Sequence, residues 1–81
     1  VCCIMTKEFL AFSKSVGNDL STPIPAYNFF GLNEGDFWCL CASRWKEAFN
    51  SGKAPKVVIK STNIATLSII KLEDLQDYSV D

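Results

Sequence analysis

DFWCLCASRW, residues 36–45, gathers two cysteines, two tryptophans and the chain's only arginine into ten positions. Residues 37–41 predict a short strand, entered from a turn at Gly31 and Gly35. On such a strand Cys39 and Cys41 share one face, while Trp38 and Leu40 take the other. The spacing then changes. Trp45, Ala48 and Phe49 recur at helical intervals, which predicts a helix over residues 43–51 with those three inward. Gly52 offers the positive φ that closes a helix, and Pro55 follows where a helix cannot continue.

Outward from this unit, VCCIM (residues 1–5) predicts a short buried strand. Thr6 is placed as an N-cap, Glu8 lies in the positive first turn, and Met5 can staple against Leu10. Phe9, Phe12, Ser13 and Val16 fall on one helical face, and Gly17 ends that helix. NDLSTP (18–23) is turn chemistry, because short polar side chains bond local backbone groups and Pro23 holds Thr22 extended. PIPAYNFFGL is too apolar for a free loop and is expected to lie on the domain. Residues 56–60 centre on VVI, a β-branched strand. Thr62 or Asn63 can cap a short helix carrying Ile64, Ala65 and Leu67, with a brief extended piece at Ile69 and Ile70. Residues 72–78 predict a last helix with Leu72 and Leu75 inward. Short strands alternating with short helices predict a single two-layer α+β domain over residues 1–81, helices on one face of a small sheet.

Composition supports a packed domain, since 48% of the 81 residues are hydrophobic. Eight basic against nine acidic residues leave a net charge of −1. The lysines are scattered, Lys53, Lys56 and Lys60 being the densest group, so there is no basic face for nucleic acid. No stretch reaches the roughly 18–20 apolar residues of a membrane span. Glu73, Asp74, Asp77 and Asp81 read as a solvated helix face or tail. The chain begins with valine inside an apolar run, which predicts that a natural N-terminal segment is missing.

Together, MTKEFLAFSKSVGNDLSTP, GDFWCLCASRW, the GKAPKV stretch and the final LEDL resemble a family of small uncharacterised proteins found in bacteria and eukaryotes. The resemblance covers nearly all of the chain. It implies a compact α+β fold and members that extend further at the N-terminus, and it implies no function. Ser61-Thr62-Asn63 stands where the family has Ala-Thr-His, so a histidine role there does not carry over to a chain without histidine.

The four cysteines fall as Cys2-Cys3 and Cys39-x-Cys41. Within either pair a disulfide is geometrically poor, and bridges between the pairs stay open. Four reduced thiols in a cytoplasmic protein are expected, filling space as small apolar side chains. A metal site would need all four sulfurs to converge, so no metal and no cofactor are expected. Cys41, just before a helix start and one turn from Arg44, is the only catalytic candidate, a thiol enzyme or redox sensor. Arg44 pairs either internally with Asp19 or Asp36, or with an anionic or carboxylate ligand beside Ser43. If Asn18, Asp19 and Thr22 fold over that helix start, they join Arg44 in one ligand cleft. The leading expectation is a binding module for a small anion or a protein. Tyr27, Phe29 and Phe30 form its candidate interface, which self-association could also cover.

Overall fold

Thr6 starts the first helix through its side chain: its hydroxyl accepts from the Phe9 N–H at 3.2 Å. The computed structural model describes residues 1–81. Three strands, β1 (Cys2–Ile4), β2 (Phe37–Cys39) and β3 (Lys56–Val57), form one antiparallel sheet in the order β2-β1-β3. Three α-helices, α1 (Lys7–Ser15), α2 (Ala42–Asn50) and α3 (Leu72–Asp77), are joined by 3-10 turns at Pro25–Tyr27, Ile59–Ser61 and Ile64–Ser68.

One face of the sheet is the floor of the core. Cys3 and Val57 stand opposite each other in register, and both are fully buried. Above them lie Phe9 and Leu10 of α1, Trp45 and Ala48 of α2, and Leu75 of α3, in one apolar cluster. Trp45 is the keystone of this cluster. Its ring stacks on Phe49 at 5.3 Å and meets Tyr78 edge-on at 5.5 Å, while its Nε1 donates to the Pro55 carbonyl at 3.3 Å. A buried indole with its N–H satisfied contributes both area and direction. The architecture is α+β, as the alternation of strand and helix predicts.

Several local expectations are corrected. The third strand ends at Val57, because the Thr62 hydroxyl displaces the next rung of the ladder, as described below. Residues 64–68 form a 3-10 helix that turns Thr66 inward and leaves Ile64 82% exposed and Leu67 half exposed. Ile69 closes that helix with α-region dihedrals, so no extended piece follows it. Leu75 is buried while Leu72 stays half exposed, and Val16 likewise lies outside the core.

The Pro/aromatic loop folds on itself rather than lying flat. Ile24 and Phe29 exchange two backbone hydrogen bonds, and Asn28 turns the chain through a left-handed φ of 54°. Only Phe29 and Leu32 pack inward. Tyr27 and Phe30 stand 81% and 86% exposed. The acidic tail is docked as well: Val57 and Val80 each donate a backbone bond across to the other segment, and Asp81 accepts the Ile59 and Lys60 N–H groups. A carboxylate there meets the free donors at the start of a helical turn.

Candidate functional site: two thiols on the open sheet face

Register decides what the cysteines do. Val1 and Leu40 exchange backbone hydrogen bonds at 2.9 and 2.8 Å. The next residues inward along the two strands, Cys2 and Cys39, therefore occupy a position where the backbones do not bond each other and the side chains approach most closely. Both project from the sheet face opposite Cys3. Their sulfurs lie 2.9 Å apart, under an ångström beyond the roughly 2.05 Å of a disulfide bond.

The rung beside this pair is unusual. Val58 donates its N–H to the Cys2 carbonyl at 2.9 Å. The return bond runs through a side chain: Cys2 N–H donates to Thr62 Oγ1 at 3.2 Å, and that hydroxyl donates to the Val58 carbonyl at 2.9 Å. Thr62, expected as a helix cap, is spliced into the ladder, and Asn63 caps the following helix by accepting the Ala65 N–H. The relay ties Cys2 to the chain leaving β3.

Beside the thiols lies a cleft of about 480 Å³ lined by Cys2, Cys3, Phe37, Trp38, Cys39, Val58 and Ser61. Ser61 is its one polar residue and no charged side chain lines it. Phe37, next to Cys39, is 70% exposed. Trp38 is braced edge-on against Phe29 at 6.0 Å.

The cysteines differ in state. Cys39 is exposed and Cys2 half buried. The Cys2 thiol is held above its ordinary pKa, first by its hydrogen bond to Cys39 and then by desolvation. Burial pushes Cys3 up to about 12, leaving an inert apolar side chain. Cys41 is the N-cap residue of α2, exposed, with no side-chain hydrogen bond to the helix. The expectation that all four sulfurs fill space therefore holds for Cys3 alone. It fails at Cys39 because β2 is an edge strand whose outer face nothing covers, and at Cys41 because the strand has ended before it.

The residues expected around an anion are accounted for locally. Asp19 accepts the Ser21 and Thr22 N–H groups and both hydroxyls, closing an Asx-type turn. These bonds, the Thr22 hydroxyl foremost, hold its carboxyl down at about 2. Asn18 donates its N–H to the Ser13 carbonyl and accepts the Ser13 hydroxyl. Arg44 pairs with Glu47, 3.3 Å away on the same helix. Asp36 accepts the Asn33 N–H. The expected internal pair of Arg44 with Asp19 or Asp36 is thus absent, because each carboxylate caps its own turn. Ser43 is exposed on the first turn of α2, and no hydrogen bond joins it or Arg44 to residues 18–22.

The Cys2–Cys39 pair is what sequence reasoning missed. Both cysteine pairs lay on expected strands and a bridge between them was open, so the signal was present. Choosing Cys2 with Cys39 required the register.

Fold and site together define a small α+β domain carrying two facing thiols on an open antiparallel sheet. The chain belongs to DUF2237, a family of uncharacterised proteins conserved in bacteria, which matches residues 1–79. No curated protein matches it. No helix is long and apolar enough to cross a membrane.

Proposed function

We propose that the domain is a thiol–disulfide module in which Cys2 and Cys39 pass between two thiols and one cross-strand disulfide. The observation that carries this reading is the 2.9 Å approach of two sulfurs in register on an open face. In the forward direction a thiolate attacks a partner disulfide, the second protein thiol displaces the remaining partner sulfur, and the partner leaves as two thiols. Two electrons and two protons pass from the protein to the partner. No histidine is needed, because the attacking group is its own base once ionised.

Three features support a working pair over a structural staple. The sulfurs lie outside the core, which Trp45 and its neighbours fill without them. Solvent reaches Cys39 directly. A ready cleft adjoins them. The redox reading thereby moves from Cys41, which stands alone, to a residue with a partner. The anion reading has less behind it, since Arg44 meets Glu47 and Asp19 is engaged by Ser21 and Thr22.

The test is equilibration across glutathione redox buffers, acid quench, alkylation and intact-mass analysis. Wild type and Cys41→Ser are expected to lose two hydrogens and two alkylation sites together, with one Cys2–Cys39 link in the peptide map. Cys2→Ser and Cys39→Ser are expected to lose that transition. Absence of the link at every buffer ratio, or a map joining other cysteines, refutes the proposal.

A further inference from the structure

The cleft beside the thiols restricts which disulfide can use them, and the two sulfurs are unequally placed to meet it. We infer that the substrate class is an uncharged disulfide flanked by an apolar side chain, seated against Phe37 and Val58, with Cys39 attacking and Cys2 resolving. This inference rests on the thiol–disulfide reading above.

Charge decides the first half. None of the cleft's lining residues is ionisable except its thiols, and Ser61 is its one polar residue. A substrate carrying several carboxylates, as oxidised glutathione does, would leave them against apolar walls with no basic partner, at a cost in desolvation. An aromatic or aliphatic flank instead gains from covering Phe37, which is 70% exposed beside the reactive sulfur. The volume, about 480 Å³, falls in the range of sites that hold a small ligand.

Position decides the second half. Cys39 sits on the edge strand and is exposed, while Cys2 lies on the central strand, half buried and tied down through its N–H to Thr62. An incoming disulfide meets Cys39 first. The Cys39 thiolate attacks one partner sulfur, forming a mixed disulfide and releasing one partner thiol. The Cys2 sulfur, already beside it, then attacks the Cys39 sulfur, closing the cross-strand bond and releasing the second. The hydrogen bond between the two sulfurs favours the protonated form of Cys2, which suits a thiol that reacts second.

The experiment compares two probes, oxidised glutathione and the symmetric disulfide of N-acetyl-phenylalanyl-cysteine amide. Each oxidises the reduced protein and, as a reference, an unstructured peptide containing one cysteine. The protein is expected to prefer the aromatic probe over glutathione by about tenfold more than the reference peptide does, the scale of partly burying one apolar side chain. Phe37→Ser is expected to bring the preference down to that of the reference peptide, its urea midpoint confirming the fold. Cys2→Ser is expected to accumulate a mixed disulfide on Cys39, whereas Cys39→Ser reacts slowly at Cys2. A preference equal to the reference peptide's, or faster trapping on Cys2, overturns the inference. In either case a Cys2–Cys39 link in wild type leaves the parent reading standing, and its absence removes both.

Discussion

Thr62 takes the place of a backbone partner for Cys2, its hydroxyl accepting the Cys2 N–H at 3.2 Å while donating to the Val58 carbonyl. Thr62→Val keeps the shape and removes the relay, leaving the Cys2 N–H unpaired in a partly buried rung while the Val58 carbonyl keeps the Ser61 N–H. The expected loss is about 1–3 kcal/mol of stability, read as a lower urea midpoint at unchanged slope. Thr62→Ser keeps the hydroxyl and is expected to retain most of it. An equal loss in both variants would assign the effect to the methyl group.

Gly31 is the hinge on which the aromatic loop returns to the core. Its φ is +78°, and a Cβ there would run into the Ser21 carbonyl. Gly17 shares a positive φ of +88° but faces open space. Gly17→Ala therefore meets only the conformational penalty of about 1 kcal/mol, whereas Gly31→Ala adds a backbone collision. Thermal melts should place Gly31→Ala clearly below Gly17→Ala. Matching melting temperatures would mean that the loop yields and is not held by this contact.

What was legible in the chain is local. Thr6, Gly17, Gly52 and the Trp45–Ala48 spacing act over one or two turns, so their meaning does not depend on distant residues. Ile64 and Leu67 misled because a 3-10 helix repeats every three residues, which places both on one outward ridge and sends Thr66 in. The role of Thr62 and the choice of Cys2 with Cys39 among the open pairings were illegible for another reason. Each is defined by a partner far along the chain, and a strand's register is set only when both strands are laid side by side. The same holds for Asp81, whose acidity suggested solvent while its position across from Ile59 gives it two backbone donors.

Asp19 makes the fold sensitive to acid. Its carboxyl titrates at about 2 in the folded chain against an ordinary 3.8, because the Thr22 hydroxyl and the Ser21 N–H favour the ionised form. A depressed folded value means that the unfolded chain binds the proton first as pH falls. The contribution is thus present above about pH 4 and is lost toward about pH 2. Asp81, also lowered, first by the Lys60 N–H, acts in the same direction. Asp19→Asn is expected to flatten this acid arm in urea midpoints measured from pH 5 to pH 2. An unchanged arm would detach the turn from acid stability.

Cys3 should behave as the opposite of its neighbour. It is fully buried and faces the core, while Cys2 one residue earlier faces the open side. At neutral pH iodoacetamide is expected to modify Cys39 and Cys41 first and Cys2 more slowly, with Cys3 labelled only through unfolding, in step with the global unfolding equilibrium. Alkaline pH exposes the same burial thermodynamically. The folded thiol holds its proton to about 12 against 9.0 when free, so between these values the folded chain binds more protons and stability falls as pH rises. Cys3→Ala removes this group's share of the alkaline slope, at the cost of a small cavity that lowers stability at every pH alike. Native-state labelling of Cys3 as fast as Cys2, or an alkaline slope identical in the variant, would show that the inner face of β1 is open to solvent and that the sheet does not divide the thiols as described.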